Sequence, residues 1–308
     1  MVINKKIVLL IVVMMFPLFF FGGPDYYSSR TFKNFWNLGH VVFFAFFVHL
    51  LLIEDSRLFR KKTFFQKLVY CLLISIVLGV AIELLQSGIS RDVDITDVWR
   101  DVLGALIGFF FSPLSLNKQL LKVSQVVLIF LLLHQLIPWF MTLADEINAR
   151  DQFPMLSDFE SEIELTRWES GDASIRKSNA LAYSGDSSLK VDFGTEKYSG
   201  FGLKYFPNDW SKYNDLFLAI YNEGEMLKIT IRIHDHLHTQ GEQVYSDRYN
   251  QSIALEKGWN NIDISLENVA KAPKTRRLDL SRVSGLGIFV TEQSAPKTIF
   301  IDSVKLQR

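Results

Sequence analysis

The chain has 308 residues and a formal net charge of zero at pH 7, and 49% of its residues are hydrophobic. The balanced charge provides no overall attraction to nucleic acid, so we do not expect a nucleic-acid partner. The single cysteine, Cys71, excludes a disulfide bond within the chain. The average composition conceals two halves, because residues 1–143 are rich in phenylalanine, leucine, isoleucine and valine, whereas residues 144–308 have the composition of a soluble domain.

Five apolar runs in the first half predict an α-helical transmembrane bundle of about five spans. A spanning helix needs about 20 apolar residues, within a range of roughly 17–25. The first run follows Lys5 and Lys6, as a signal peptide would, but no small-residue cleavage site follows it, and we favour an uncleaved span. The predicted spans are residues 7–21, 37–53, 68–85, 102–116 and 123–143.

Basic residues between the apolar runs predict the orientation of the spans. Lys118 and Lys122 lie between the fourth and fifth runs. The loop between the second and third runs carries five cations, which are Arg57, Arg60, Lys61, Lys62 and Lys67. Such enrichment marks the cytoplasmic side of a membrane. With five spans, the second half of the chain is then expected outside the cytoplasm.

Charged residues are concentrated where the third span ends and the fourth begins. Charge at a membrane is costly unless it is solvated, paired or used in a function. Aspartates and glycines follow one another at steps of three and four residues from Asp94 to Gly108, so they form one helical stripe. Its glycine end permits close approach of a neighbouring helix. We define the polar cluster as His40, Glu83, Gln86, Arg91, Asp94, Asp97 and Asp101.

Two interpretations of the polar cluster remain open at this stage. A carboxylate at a helix N-terminus is stabilised by about 0.3–1 kcal/mol, which explains Asp94 as an ordinary helix cap. This explanation fails for Glu83, which requires a partner or a water-filled cavity. The cluster is therefore expected to be a polar site, although a structural ion-pair network is the alternative.

The polar cluster resembles the pattern of the VanZ family, which comprises small bacterial membrane proteins with several spans. The family pattern has a histidine entering one span, then Glu-x-x-Gln, an arginine, spaced aspartates and two glycines four residues apart. The sequence departs from it at Trp36 and Asn37, where Asp-Lys is usual, and at Asp101, where asparagine is usual. The matching positions, within residues 7–116, are His40, Glu83, Gln86, Arg91, Asp94, Asp97, Gly104 and Gly108. The resemblance implies the bacterial cytoplasmic membrane and, by the family's name, glycopeptide-antibiotic resistance, mainly to teicoplanin.

The second half contains about ten short runs in which apolar and polar residues alternate. In the run LKITIRIHDH, which begins at Leu227, the apolar side chains face one way and Lys228, Thr230, Arg232 and His234 face the other. This alternation predicts half-buried strands, and the turn signals between them favour a β-sandwich. We therefore predict an all-β jelly-roll domain over residues 158–308, after a polar linker at residues 144–157.

Four segments of this domain resemble the galactose-binding-like superfamily, in particular carbohydrate-binding modules and the complex I intermediate-associated protein domain. They are DFES at 158–161, YSGDSSLKVDF at 183–193, GWNNIDISL at 258–266 and IFIDSVKL at 299–306. The resemblance implies a domain that binds a carbohydrate. It also implies a structural calcium ion held by Glu160, Asp302 and the turn that contains Asp186, since calcium takes six to eight oxygen ligands. The alternative is that Glu160 and Asp302 only cap turns.

Aromatic side chains next to polar ones are the candidates for a sugar site, because aromatic planes stack on sugar faces. Trp259 is instead expected to pack in the core. Histidines at 234, 236 and 238 occupy alternate positions, so on a strand they share one face and could bind zinc. An exposed histidine face without a ligand is the favoured interpretation. The candidate ligand-binding residues are Tyr245, Asp247, Arg248, Tyr249, Trp210 and Asp235.

Three functional hypotheses follow from the sequence. The favoured one is a cell-envelope protein, anchored in the lipid bilayer, whose outer sandwich binds an envelope glycan. The second is a membrane enzyme or carrier for the head group of a lipid-linked envelope precursor, with Glu83 or Asp97 as the acid or base and Arg91 pairing with phosphate. The third is that the polar cluster only holds the helices together. No confident catalytic residue is assigned, since no nucleophile elbow, phosphate loop or dinucleotide fingerprint is present in the sequence.

Overall fold

The computed structural model describes residues 4–25, 27–53, 59, 61–87, 94–113 and 117–308. The chain divides into two compact units, Met1–Met141 and Thr142–Arg308. The first unit is helical and the second is built mainly from β-strands. The fold class is therefore a helical half followed by a β-sandwich.

Five helices account for the apolar half. They are α1 (Lys5–Met15), α2 (Arg30–Ile53), α3 (Phe64–Ser87), α4 (Ile95–Phe110) and α5 (Lys118–Gln152). Among the described residues, α2, α3 and α5 are long and apolar enough to cross a membrane. Helices α1 and α4 have 11 and 16 residues, fewer than the roughly 20 of a full span. The structure thus supports three candidate spans, and the count of five stays a prediction.

Two glycines of α4 bring this helix against α2. A Cβ atom at Gly104 would clash with the backbone oxygen of Val41, and one at Gly108 would clash with that of Ala45. The helices therefore approach closely because these positions have no side chain, as the glycine stripe predicted. Phe109 is buried in the apolar cluster beside this contact.

Most of the polar linker predicted at residues 144–157 is helical in the structure. Helix α5 continues through residue 152, and strand β1 (Met155–Ser157) follows after Pro154. The polar composition reflects an exposed helix surface rather than a coil, because no glycine or proline interrupts residues 144–152. The first proline after residue 144 is Pro154, and the helix ends just before it.

The second unit is a sandwich of two antiparallel sheets. The first sheet has the order β3-β4-β11-β6-β9, with β1 on β11, and the second has the order β2-β5-β10-β7-β8. Short helices α6 (His236–Gln240) and α7 (Leu266–Lys271) connect strands. The remaining strands are β2 (Trp168–Ser170), β3 (Ala173–Ser178), β4 (Ser188–Phe193), β5 (Tyr198–Leu203), β6 (Asp215–Asn222), β7 (Leu227–Asp235), β8 (Tyr249–Leu255), β9 (Gly258–Ser265), β10 (Val283–Thr291) and β11 (Lys297–Gln307).

Alternate residues of the strands form the core between the two sheets. In β7 the apolar residues at 227, 229, 231 and 233 are buried, and those between them are more exposed. This confirms the half-buried strand predicted from the alternation. Opposite faces of one strand thus serve different purposes, since one face packs in the core and the other lines a surface.

Candidate functional site

A histidine and two aspartates form the centre of the polar cluster. His40 of α2 has its Nδ1 2.8 Å from Asp101 Oδ1 and its Nε2 3.5 Å from Asp97 Oδ2. Asp97 and Asp101 are one turn apart on α4, so both face α2. The ring of Phe19 covers His40 edge-on, with 4.8 Å between the ring centroids. The three polar side chains are thus held together where apolar residues surround them.

Helix α3 supplies the opposite side of the polar cluster. Glu83 Oε2 accepts a hydrogen bond of 3.0 Å from the backbone N–H of Asp94. Gln86 donates through its Nε2 to the backbone oxygen of Phe19, at 2.8 Å. Glu83 therefore faces the start of α4, whereas Gln86 ties α3 to the segment that follows α1.

Arg100 is a member of this site that the sequence analysis did not include. It forms an ion pair with Asp97, three residues earlier, and its Nη1 lies 3.6 Å from Asp94 Oδ2. The spacing of three residues from Asp97 is the signal that would have found it. Arg91 lies outside the described residues, so its predicted role stays a prediction.

Two oxygens of the cluster are buried without a hydrogen-bond partner among the described residues, namely Glu83 Oε1 and Asp101 Oδ2. A Cβ at Gly79 of α3 would clash with Asp101 Oδ2, so the carboxylate lies directly against that backbone. One ligand atom from each of His40, Glu83 and Asp97 lies within 4.8 Å of the others. The helix-cap interpretation holds for Asp94, whose side chain accepts from the N–H of Thr96 at 2.8 Å.

In the sandwich, the residues predicted to bind calcium hold a turn. Glu160 Oε1 accepts from the backbone N–H groups of Asp186 and Ser187, at 2.9 and 3.1 Å. Asp302 Oδ2 accepts from the N–H groups of Tyr183 and Ser184, at 2.7 and 3.0 Å. Burial raises the pKa of Asp302, and these N–H groups partly oppose the rise.

This donor set does not fit calcium as the residues are placed. A calcium ion requires six to eight oxygen ligands, with backbone carbonyls turned towards it. Here the turn directs N–H groups, which carry partial positive charge, at Glu160 and Asp302. The backbone oxygen of Asp186 instead accepts from Asn179, at 3.2 Å. The contacts match the alternative interpretation, in which both carboxylates cap the turn.

Three of the predicted ligand-binding residues are buried and have structural roles. Trp210 has 0% exposed surface, and its indole N–H donates to the backbone oxygen of Pro207. Tyr249 faces the core, and burial raises its pKa to about 12. Asp235 is also fully buried. The sequence did not predict this burial, because local sequence shows an aromatic or a charge but not which way its strand or loop turns.

Asp235 and Asp247 are joined by Arg276, which the sequence analysis missed. Arg276 Nη1 lies 2.5 Å from Asp235 Oδ2, and its Nε lies 2.6 Å from Asp247 Oδ1. Burial alone would raise the pKa of Asp235, but the bonds from Arg276 together with the backbone N–H groups of Asp279 and His238 outweigh burial and hold the pKa below its usual value. Asp247 is thus engaged in an ion pair that fixes the loop before β8.

Four glycines form the floor of a shallow trough on the outer face of the second sheet. Gly200 and Gly202 belong to β5, and Gly285 and Gly287 belong to the adjacent β10. In β10 the residues between and after these glycines, such as Leu286, point into the core. The glycines therefore leave these positions of the opposite face without side chains of their own, and Gly285 and Gly287 are buried under neighbouring side chains. We call this surface the glycine trough.

Side chains of β7 lie over the glycine trough. A Cβ at Gly287 would be 3.1 Å from Arg232 Nε, and one at Gly285 would be 3.0 Å from His234 Nε2. The ladder explains this, because Gly287 pairs with Arg232 and Gly285 with His234. The period-two glycines in YSGFGL and SGLGIFV are the sequence signal that would have found the trough.

Further cations flank the trough at the β8 end. The guanidinium of Arg248 lies 5.6 Å from the ring centroid of Tyr245, which is 67% exposed. Burial lowers the pKa of Arg248, and the charge of Arg232 lowers it further. Burial also lowers the pKa of His234 to about 3, with Arg232, His238 and Arg248 adding to the effect. His234 is therefore neutral at physiological pH, between two permanent cations.

The predicted alternating histidine face is wrong, because β7 ends at Asp235 and α6 begins at His236. His234 and His238 approach each other through the helical turn instead, with ring centroids 5.3 Å apart.

Trp259 does not pack in the core, contrary to the prediction. Its ring is partly exposed and contacts Tyr183 and Tyr221, at centroid distances of 5.2 and 5.4 Å.

Comparisons with known proteins match the two units separately. A family model described as VanZ/LLP1 matches residues 5–116, and one described as carbohydrate binding domain (family 11) matches residues 148–307. No curated protein matches the chain.

Solved structures are similar to about half of the chain. The family 11 carbohydrate-binding module from Clostridium thermocellum, in complex with a β-1,3-1,4-mixed-linked tetrasaccharide, is 20% identical with a TM-score of 0.38, over 50% of this chain and 94% of that one. The family 30 module of the Clostridium thermocellum cellulase Cel9D-Cel44B is 18% identical with a TM-score of 0.35, over 46% and 89%. An exo-β-agarase is 20% identical with a TM-score of 0.39, and the match covers 50% of this chain but only 24% of the agarase.

The family matches agree with both resemblances that the sequence showed. The polar cluster lies almost entirely on helices inside the first match, and the glycine trough lies inside the second. The chain belongs to the carbohydrate-binding domain family 11 through its β-sandwich, and it carries a VanZ-like domain in its helical half.

Proposed function

We propose that the sandwich binds a glycan of the bacterial cell envelope in the glycine trough. The observation that carries this proposal is the side-chain-free floor made by two adjacent strands, with Arg232 and His234 lying across it. A sugar ring is broad and flat, so it fits a shallow surface that offers a few fixed polar groups. Tyr198, exposed at the end of the trough beside Phe289, provides a ring for stacking.

The charges around the trough favour a glycan that carries carboxylates. The charge of Arg232 lies close enough to lower the pKa of Arg248, and a guanidinium matches a carboxylate in a bidentate geometry. Glu169, the acidic residue opposite Gly202, is neutralised by Lys204. His234, being neutral, is available for bonds to hydroxyl groups. Tyr245 and Arg248 keep their predicted role as ligand-binding residues within this proposal.

The proposed setting is the bacterial cytoplasmic membrane, with the sandwich on the outer side. Three apolar helices and the VanZ-like domain support a membrane protein. The basic residues near Lys61 favour a cytoplasmic location for that loop.

We include in the same proposal an effect of the protein on susceptibility to glycopeptide antibiotics. The orientation has its own test. A protease site inserted after Arg308 should be cut from outside intact spheroplasts, whereas one inserted beside Lys61 should be protected, and the reverse pattern would refute the orientation.

The binding proposal is tested with the full chain in detergent on an array of envelope polysaccharides. We expect an acidic polysaccharide to bind more tightly than a neutral β-1,3-1,4-mixed-linked tetrasaccharide. Replacing Arg232 by Gln should weaken acidic-glycan binding about 10–100-fold, since a hydrogen bond to a charged group contributes about 1.5–3 kcal/mol. The matched control is Arg176→Gln, because Arg176 is also a strand arginine but belongs to the other sheet. Equal losses in both variants, or no binding across the array, would refute the proposal.

A second candidate function places the chemistry in the polar cluster. In this alternative the cluster acts on the head group of a lipid-linked envelope precursor, and the unpartnered oxygen of Glu83 supports it. The variants Glu83→Gln and Asp97→Asn should then abolish an envelope-antibiotic phenotype while protein levels stay normal. Loss of the protein itself would favour the purely structural role.

A further inference from the structure

Three buried side chains from three helices converge at one point in the helical unit. His40, Glu83 and Asp97 each place a ligand atom within 4.8 Å of the other two. We propose that these three residues bind a divalent first-row transition-metal ion. The site lies in the helical unit, on α2, α3 and α4, and does not depend on glycan binding by the sandwich.

The orientation of His40 is the first argument for a cation. An ionised carboxylate only accepts hydrogen bonds, so Asp101 Oδ1, at 2.8 Å, places the proton of the ring on Nδ1. In the neutral ring the lone pair of Nε2 then faces Asp97 Oδ2, at 3.5 Å, which is also an acceptor. Two acceptors that face each other inside a protein repel unless a positive charge lies between them.

The spacing of the ligand atoms of His40 and Asp97 is the second argument. Histidine nitrogen and carboxylate oxygen bind zinc at about 2.0–2.2 Å. Two such bonds at a tetrahedral angle place the ligand atoms about 3.4 Å apart, by the geometry of those bond lengths. The separation of 3.5 Å between His40 Nε2 and Asp97 Oδ2 matches this value. A direct hydrogen bond between the same atoms would be shorter, at about 2.7–2.9 Å.

The burial of the Glu83 carboxylate is the third argument. Glu83 is 2% exposed, and its Oε1 has no hydrogen-bond partner in the described part of the chain. Asp97 and Asp101 add two further carboxylates, and the guanidinium of Arg100 pairs with Asp97. A divalent ion supplies the missing positive charge and takes Glu83 Oε1 as a ligand.

The donor set and its support define the class of metal. One imidazole and two carboxylates, without a thiolate, suit zinc, manganese(II) or iron(II), and leave positions open for water. A ligating histidine usually donates its other N–H to a carboxylate, which fixes the ring and strengthens the ligand. Asp101 has this role for His40, and Gly79 provides the space that the Asp101 carboxylate occupies. Asp101 is thus a positioning residue.

The test uses the full chain in detergent, treated with a chelator and then titrated with Zn²⁺ and, separately, Mn²⁺. Calorimetry and elemental analysis should give about one metal ion per chain. The variants His40→Gln, Glu83→Gln and Asp97→Asn should each weaken binding more than about 100-fold, and Asp101→Asn about 10–100-fold, as for supporting residues at other metal sites. The matched control is His49→Gln, because His49 lies on the same helix but bonds Ser112 instead.

The outcomes separate a metal site from a proton-sharing network. Binding by the wild type and the His49 variant, with loss in the three ligand variants, supports the site. If the wild-type chain binds neither Zn²⁺ nor Mn²⁺, the proposed metal site is refuted, whatever the variants do. Equal binding by wild type and ligand variants also overturns it, since the ion would then lie elsewhere. Elution of each variant as a monodisperse peak, with an unchanged melting profile in the absence of metal, shows that lost binding is not lost folding.

Discussion

A buried ion pair between α5 and the sandwich allows a quantitative prediction of stability. Arg167 and Asp145 both have side chains with 0% exposed surface. Arg167 Nε lies 3.1 and 3.0 Å from the two oxygens of Asp145, and Nη2 lies 2.8 Å from Oδ1. The remaining nitrogen, Nη1, donates to the backbone oxygen of Leu156 at 3.0 Å. Replacing Asp145 by Ala leaves a buried guanidinium without its counter-charge.

The size of the effect follows from the burial of the pair. Removing one partner of a buried ion pair costs about 3–5 kcal/mol, because the other charge stays desolvated. The total free energy of unfolding of a domain is about 5–15 kcal/mol, so Asp145→Ala removes a large part of it. With a urea m-value of about 2 kcal/mol per molar, the unfolding midpoint should fall by about 2 M. The double variant Asp145→Leu with Arg167→Leu should recover most of this loss, since the guanidinium is then removed together with its counter-charge.

The assay is urea unfolding of residues 142–308, followed by tryptophan fluorescence, with a double-mutant cycle to isolate the pair. A fragment that begins at residue 150 lacks Asp145 and should be destabilised to the same extent as Asp145→Ala. The control is Glu267→Ala, whose partners Lys271 and Arg277 are exposed, and which should change stability by less than about 1 kcal/mol. A loss below about 1 kcal/mol for Asp145→Ala, or a double variant less stable than either single one, would refute the reasoning.

Three further predictions concern pH, helix packing and calcium. His234 has a pKa of about 3 in the fold and about 6.5 when unfolded, so its stabilising contribution is present above pH 6.5 and is lost as the pH falls towards 3. Between pH 7.5 and 5, the variant His234→Gln should therefore lose about 2 kcal/mol less stability than the wild type in urea titrations. Gly104→Ala should reduce the yield of folded protein in detergent, because the added methyl meets the backbone of α2, whereas Gly39→Ala should not, since nothing lies within 4 Å of its Cβ position. Chelation or millimolar calcium should leave the melting temperature of the sandwich unchanged, while Glu160→Gln should lower its stability by about 1–3 kcal/mol in both conditions.

Each of these three predictions has an outcome that contradicts it. Equal acid sensitivity of the His234 variant and the wild type would show that this imidazole is not held neutral. A Gly104 variant that folds as well as the Gly39 variant would show that α4 does not depend on close approach to α2. A melting temperature that rises by several degrees in calcium would show that Glu160 and Asp302 turn towards an ion.

Local patterns in the sequence determined the class of each element and several of its faces. The alternation in β7 was sufficient to place Arg232 and His234 on the face opposite the core, because side chains of a strand point alternately to its two sides. The steps of three and four from Asp94 to Gly108 were sufficient to place carboxylates and glycines on one side of α4. These inferences depend only on the geometry of a single helix or strand.

Contacts between distant segments were decided by the tertiary structure. Asp101 meets His40 across 61 positions of sequence, and Arg276 joins Asp235 across 41. No local periodicity specifies such a partner, because packing of separate elements selects it. The sequence did not predict that the side chain of Trp210 faces the core, for the same reason. An aromatic residue in a loop packs inward or outward according to the elements around it.

The glycine trough depends both on local side-chain direction and on the pairing of distant strands. The sequence by itself determined that Gly200, Gly202, Gly285 and Gly287 alternate within their strands, and that no side chain projects from those positions. Only the tertiary structure decided that β5 and β10 are neighbours, and that Arg232 and His234 of β7 lie over the resulting floor. The physical reason is that side-chain direction is a local property of the backbone, whereas strand pairing depends on which distant surfaces bury the most apolar area together.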